Sequence, residues 1–477
     1  MDLKRKVIVG LSWSAGGRLL GQLATWGVTI IVIRLLSPED YGLMELAGVF
    51  VVLLAMLNEM GMGAAVVQRK EIDDKILRAI FGWILVSSLC FYFLLTIAAP
   101  FIARFYSESR LELIIRVLSV QLLLTIFSVL PSSLLQRNME FRKIAGIEFV
   151  SSIAGSFTTL ALALSGYGVW ALVWGILTIR LVNVVGVNVA LPFLRLPIIS
   201  INGMRGLLSF GGYVTLSRIL WSLYSRADTL IIGKILGKEL LGLYSVGMYL
   251  ASLPMEKVSG LINQVAFPAF ASVQSDKKLA TLHFLKAVRI MCFFAFPVLW
   301  GISSIAPEIV AIFLGEKWIA AVLPVRIIAL IIPIRMVSNL MDPAVLGVGR
   351  ADISVRFVIC AFIIMPSAFL LGSMWGLLGV SMSWIVAFPV VFILNLLQVK
   401  KVLELRLLDV FKAMQIPFIA GVVMYGGLQV IRETAIMDFN SIQKMIALVA
   451  VGSFIYILLT LVFNQKILFE IKDLSKT

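Results

Sequence analysis

Apolar residues run along this chain in blocks of about twenty, and the charged residues fall in the short gaps between the blocks. Twenty residues is the length at which a helix crosses the hydrocarbon core of a bilayer. Fourteen such helices are predicted, at 11–33, 43–66, 79–103, 113–135, 146–165, 168–191, 211–233, 241–263, 288–305, 319–341, 354–372, 376–399, 411–430 and 444–463. A membrane β-barrel would show ten-residue alternation instead. The longest gaps, near 192–210 and 268–287, are too short to hold a soluble domain.

Composition agrees: 60% of the 477 residues are hydrophobic, 14% are charged, and the mean hydropathy is +1.02, far from the values of a soluble globular domain. The Lys and Arg residues orient the spans. With the N-terminus inside, 25 of them lie on the cytoplasmic face and eight on the other, namely Arg34, Arg104, Arg110, Lys234, Lys238, Lys317, Arg432 and Lys444. The retained side carries the excess, so both termini are expected in the cytoplasm. This topology accounts for much of the net charge of +15, which therefore does not point to nucleic acid. The N-terminus has the outline of a signal peptide, but its apolar run continues to Ile33 without a small-residue cleavage motif and is expected to be the first span.

Catalytic chemistry has few carriers. Cys90, Cys292 and Cys360 lie in separate apolar blocks without CxxC spacing, and the single histidine, His283, falls in a cytoplasmic gap. That excludes Ser-His-Asp triads within the membrane, HExxH zinc sites and histidine relays, and no GxxxxGK[ST] loop is present for ATP. No catalytic residue, metal or cofactor is expected.

The chain repeats itself. RLLSPEDYGLMELAG from Arg34 returns as KILGKELLGLYSVGM from Lys234, aligning Glu39 with Glu239 and Gly42 with Gly242. Val67-Gln68 then meets Val273-Gln274, Ala99-Pro100 meets Ala306-Pro307, and Gly168-Val169 meets Gly376-Leu377, with offsets climbing from 200 to 208 without reversing. Two six-helix copies are expected, at 1–200 and 201–402, with two accessory helices and a tail at 403–477. Six is even, so the copies are parallel repeats, and transporter sites commonly lie between such repeats. Gly42 and Gly242 are assigned to tight helix-to-helix connections in the first outer loop of each copy.

Polar residues form stripes. Ser14, Arg18, Gln22, Thr25 and Thr29 share one face of the first span, and Val214, Arg218, Ser222, Ser225 and Thr229 repeat four of those five polar positions in the seventh. Glu45 and Glu59 share a face in the second span, and Ser245, Tyr249, Ser252, Glu256, Ser259 and Asn263 form a stripe in the eighth. An intramembrane Arg costs about 2.5 to 3.5 kcal/mol, so it faces a partner or a wet cavity. Arg18 and Arg218, about a third of the way in from the cytoplasm, suit a diphosphate bound bidentately. Interhelical salt bridges with Glu59 or Glu256, or snorkelling to headgroups, meet the same cost. Arg116, Arg180, Arg226, Arg326 and Arg335 are weaker candidates, and Glu59, Asp228 and Glu256 are candidates for charge partners or ion coupling. Pro254, Pro297, Pro333, Pro366 and Pro389 interrupt spans, which reads as static kinking.

The segments GLSWSAGGR, RLLSPEDYGLMELAGVF, NEMGMGAAVVQRKE, LLQRNMEFRKIAGIE, FPAFASVQSD, FLGEKW and LGVGRADIS together resemble the Wzx-type polysaccharide transporters, in particular the branch of colanic-acid and teichuronic-acid exporters within the multidrug/oligosaccharidyl-lipid/polysaccharide superfamily. The resemblance implies an all-α polytopic fold similar to the multidrug and toxin extruders, and a location in the bacterial inner membrane. It implies flipping of an undecaprenyl-diphosphate-linked oligosaccharide, with membrane lipids, a polysaccharide polymerase and a chain-length regulator as partners. A drug or cation antiporter on the same fold would favour carboxylates over paired arginines in its cavity. A glycan polymerase or glycosyltransferase would be expected to carry a larger outer loop with catalytic side chains.

Overall fold

The computed structural model describes residues 25–59, 63, 66–67, 73–193, 195–198, 221–274, 276–434, 439–463, 467 and 470; within these, the side chains of residues 59, 256–269 and 351 are outside the description. Every regular element among them is helical. In chain order they are α1 Thr25–Leu35, α2 Pro38–Glu59, α3 Asp74–Tyr106, α4 Arg110–Ile126, α5 Val129–Arg137, α6 Phe141–Leu164, α7 Val169–Ala190, α8 Ala227–Ile235, α9 Gly237–Ser272, α10 Lys277–Ser304, α11 Val322–Asn339, α12 Met341–Gly347, α13 Ala351–Gly372, α14 Gly376–Leu403, α15 Leu407–Thr434 and α16 Ser441–Phe463. Short helical turns at Ala306–Ile309, Val310–Leu314 and Glu316–Ala321 join α10 to α11. Among the described residues nine stretches are long and apolar enough to cross a membrane, ten with the bent pair α4–α5. Asp352–Leu403 is one continuous apolar stretch that covers two of the predicted spans.

The contacts divide the chain into two compact units, Met1–Gly242 and Leu243–Thr477. In the first, Val66, Ile80, Ile84 and Leu130 form a core that Phe193 closes from later in the same unit, its ring edge-on to Phe81 at 5.5 Å. Phe193 brings with it the start of the long connection expected after the sixth span. This segment docks rather than hangs free: Arg78 Nε donates to the Leu196 carbonyl at 2.9 Å, and Ile198 N–H donates to the Arg78 carbonyl at 3.0 Å. Arg137, from LLQRN, donates to the Val66 carbonyl at 2.9 Å, so two of the family-like motifs meet.

The predicted span 113–135 is broken, with α4 and α5 meeting at 44°. Pro131 has no N–H to give the Phe127 carbonyl four residues earlier, and Asn188 Nδ2 supplies the missing donor at 2.7 Å. The five prolines expected to kink spans, Pro254, Pro297, Pro333, Pro366 and Pro389, all lie inside helices.

In the second unit, Phe296 and Trp300 of α10 pack edge-on with Phe418 of α15, and the Tyr456 hydroxyl of α16 donates to the Phe293 carbonyl at 2.9 Å. The helix α16 buries Leu448, Gly452, Tyr456 and Thr460, one residue every four, and leaves Phe454, Ile457 and Leu461 exposed. A single narrow buried stripe on an otherwise apolar helix is the pattern of a helix solvated by lipid.

Candidate functional site

The sequence places its site on two polar stripes, and the structure describes part of each. Ser14, Arg18 and Gln22, and Val214 and Arg218, lie outside the described residues. Thr25 and Thr29 are half-buried on α1, where the Thr29 hydroxyl donates back to the Thr25 carbonyl at 2.8 Å. Ser222 is buried, and the Ser225 hydroxyl donates to its carbonyl at 3.1 Å. Both hydroxyls spend a donor on their own helix, the usual resort of Ser and Thr in an apolar setting. Ser252 of α9 is buried with its hydroxyl 3.4 Å from Met248 Sδ. Glu59 ends α2 and Glu256 lies within α9; their side chains lie outside the description.

The described part of the seventh span breaks at Arg226, which stands before α8 with φ −122° and ψ 11°. The break turns Arg226 toward α2, where its Nη1 lies 3.5 Å from Glu45 Oε2. Asp228 and Thr229 follow, both buried, and the Thr229 N–H donates to Asp228 Oδ1 at 2.8 Å. Asp228 is close enough to Glu45 for their charges to act on one another. Among the described residues, Arg226 therefore stands with Glu45 and Asp228 in the first unit. Of the weaker arginine candidates, Arg226 takes Glu45 and Arg116 takes Glu112 one turn away at 2.9 Å. Arg335 lies over the Trp384 ring at 4.1 Å, and the Trp384 indole donates to the Tyr244 hydroxyl at 2.7 Å. Arg180 is exposed in the middle of α7.

The repeated motif corrects its own assignment. Gly42 and Gly242 sit inside α2 and α9, not in connections, and the two copies touch. A Cβ on Gly42 would lie 1.8 Å from the Lys238 carbonyl oxygen and 3.1 Å from Gly242 N; a Cβ on Gly242 would lie 1.7 Å from the Pro38 carbonyl oxygen and 3.1 Å from Gly42 N. Each glycine thus meets the residue four before the other, a reciprocity produced by a two-fold relation. Ion pairs surround the crossing. Arg110 reaches Glu39 at 3.0 Å and Glu108 at 3.1 Å, while Lys238 reaches Glu108 at 2.6 Å and Glu39 at 3.4 Å. Lys234 caps the end of α3 through the Phe105 carbonyl and lies 4.5 Å over the Phe105 ring. Burial raises the Glu108 carboxyl, but hydrogen bonds from Lys238 and Arg110 outweigh it and hold the group below its ordinary range.

A capping role in the same motif escaped the sequence reading. Ser37 and Asp40 form a reciprocal cap on α2, with Ser37 N–H donating to Asp40 Oδ2 at 3.0 Å and Asp40 N–H donating to Ser37 Oγ at 3.3 Å. The other oxygen of Asp40 accepts from Val169 N–H at 3.0 Å, so one carboxylate serves the N-termini of α2 and α7. The signal was present as Ser-x-x-Asp ahead of an apolar run. Among the described residues no group of three or more His, Cys, Asp or Glu side chains is placed to hold a metal ion.

Residues 31–323 match the family described as "Polysaccharide biosynthesis protein". The lipopolysaccharide biosynthesis protein WzxC of Escherichia coli (strain K12) is 27% identical over 402 residues, covering 81% of this chain and 79% of WzxC. The teichuronic acid biosynthesis protein TuaB of Bacillus subtilis (strain 168) is 23% identical over 474 residues, covering 96% of each chain. Among solved structures, the lipid II flippase MurJ in an inward closed conformation matches with a TM-score of 0.69 at 12% identity, over 96% of this chain and 99% of that one. An inward-facing multidrug resistance transporter of the MATE family in the MOP superfamily matches with a TM-score of 0.62 at 16% identity, over 80% and 96%. At these identities the structural likeness establishes the fold, an all-helical membrane protein of the MOP type.

Proposed function

The chain belongs to the polysaccharide biosynthesis protein family, the Wzx-type transporters its motifs resemble, and from that premise we propose that it flips undecaprenyl-diphosphate-linked oligosaccharide repeat units across the bacterial inner membrane by alternating access. The observation that carries this reading is the family match across residues 31–323, which takes in both copies of the repeated motif. The product would serve export of cell-surface polysaccharide, with a polymerase and a chain-length regulator acting downstream. Both termini are assigned to the cytoplasm. The lobes are assigned to 1–200 and 201–402, followed by the accessory helices.

In this reading Arg18 and Arg218 engage the diphosphate, because a guanidinium fork matches paired phosphate oxygens. Ser14, Gln22, Thr25, Thr29, Ser222, Ser225, Thr229 and Ser252 offer hydroxyls and an amide to sugars. Exposed Arg180 adds a further cation in the membrane span. An inside-negative potential favours outward movement of an anion by about 2.3 kcal/mol per charge per 100 mV, so no nucleotide is needed to drive the step. Asp228, with Glu45 and Arg226 beside it, is a candidate to take a proton or a sodium ion in this reading. Glu59 and Glu256 remain further candidates for that role.

The pairing of two carboxylates, Glu45 and Asp228, favours the second reading, a drug or cation antiporter. Transbilayer movement of an undecaprenyl-diphosphate oligosaccharide in proteoliposomes separates the two. Flipping by the unmodified protein that vanishes in Arg18→Ala plus Arg218→Ala, at matched folded yield, supports the flippase and its diphosphate site. Flipping unchanged in the double variant keeps the transporter and removes those arginines from the site. Absence of flipping alongside cation-dye export would replace the flippase by the antiporter.

A further inference from the structure

One largely buried cluster in the second unit holds hydrogen-bond donors that its own acceptors do not take up. It lies where α10 ends at Ser303 and Ser304, with Glu308 in the turn that follows, Arg326 on α11, and Tyr425, Gln429 and Arg432 on α15. Arg432 Nη2 donates to Glu308 Oε2 at 2.7 Å and to the Ser304 carbonyl. The Ser303 hydroxyl donates to the Arg326 carbonyl at 2.9 Å and approaches the Tyr425 hydroxyl at 3.5 Å. Gln429 stands four residues after Tyr425 and three before Arg432, on the same face of α15. Arg326 is near enough to Arg432 for their like charges to repel.

The cluster is unbalanced in two ways. Among the described residues, the half-buried guanidiniums of Arg326 and Arg432 stand with one carboxylate, Glu308, an excess of one positive charge. Among the described residues, Arg326 Nε, Arg432 Nε, Gln429 Nε2 and Ser304 Oγ are all shut off from solvent with no hydrogen-bond partner. Three of these four atoms are N–H donors. Buried donors are nearly always satisfied, and an excess positive charge beside them draws a counter-charge. A water molecule fills such a place poorly, since it brings two protons of its own and no charge. A small anion accepts from several donors and cancels the excess. We propose that this cluster binds one halide-sized monovalent anion, which pins α15 to α10 and α11. The Glu308 and Arg432 side chains are only 7% and 17% exposed, a setting that suits a small ion. The site is independent of the transport reading, and its occupant would be structural.

The test is thermal unfolding of the full-length detergent-purified protein, with sodium chloride exchanged for sodium gluconate at constant ionic strength. Chloride is expected to raise the midpoint saturably by about 2 to 4 °C, while gluconate, too large for the site, leaves it unchanged. Arg326→Gln is expected to abolish the chloride response. Gln429→Leu, which removes one donor without changing charge, is expected to move half-saturation to about tenfold higher chloride and serves if Arg326→Gln does not fold. Equal midpoints in chloride and gluconate would mean bound water only and would overturn the proposal, as would a chloride response unchanged in both variants.

Discussion

Placing one methyl group on Gly42 tests the crossing of α2 and α9 directly. The Cβ of Gly42→Ala would lie 1.8 Å from the Lys238 carbonyl oxygen, whereas ordinary contact begins near 3.4 Å, so the two backbones must part by about 1.6 Å. No flexible side chain is available to yield, because the opposing atoms are backbone on both sides. Overpacking of this kind costs about 1 to 3 kcal/mol, and the rigid contact places Gly42→Ala at about 3. Gly242→Ala strikes the Pro38 carbonyl at 1.7 Å and demands the same separation. The double variant is therefore expected to cost little more than either single one, because parting the helices once relieves both clashes. Unfolding of the purified protein, followed by thermal or denaturant titration, reads all three. Gly48→Ala serves as control, since its added Cβ meets nothing within 4 Å and replacing a helical Gly gains up to about 1 kcal/mol. Additive costs in the double variant, or a Gly42→Ala as harmless as Gly48→Ala, would refute the close crossing.

Three further outcomes follow from described contacts. Glu108 is held below its ordinary range, so the stability it contributes is present at neutral pH and is lost as pH falls below about 4.5 toward its depressed folded value; Glu108→Gln should flatten that acid limb in a pH series of unfolding midpoints. Asn58 is fully buried between α2 and α3, donating to Ser88 Oγ at 2.7 Å and accepting from Ser87 at 2.6 Å. Asn58→Ala should lower stability in detergent by about 1 to 2 kcal/mol, and Asn58→Asp should not restore it. Trp384→Phe keeps a ring beneath Arg335 but deletes the indole N–H bonded to Tyr244, and is expected to cost about 1 to 2 kcal/mol by the same measurement.

Helix positions were legible because a bilayer demands long apolar runs, and the echo at Gly42 and Gly242 was legible because both copies keep their spacing. The meaning of those glycines was not. A glycine serves a tight turn and a close helix crossing equally well, and only the partner backbone, 200 residues away in sequence, distinguishes them. The break at Pro131 escaped for a similar reason. Five other prolines drew attention, yet a helix parts where the freed carbonyl finds a new donor, and Asn188 is supplied by another helix. Asp228 was recognised as a charge in a span, but its neighbours Glu45 and Arg226 are brought together by folding and share no periodicity. Ser37 and Asp40 were readable as a cap and were absorbed into the repeat instead.

The reciprocal crossing of Gly42 and Gly242 is symmetric in its backbone, each glycine meeting the residue four before the other, and asymmetric in its charges. Position 38 is proline and its counterpart is Lys238, so the lysine can reach Glu39 while no mirror-image cation faces Glu239 from position 38. A contact set by backbone alone therefore leaves the side chains around it free to differ, and the electrostatic field at this crossing is one-sided where its geometry is not.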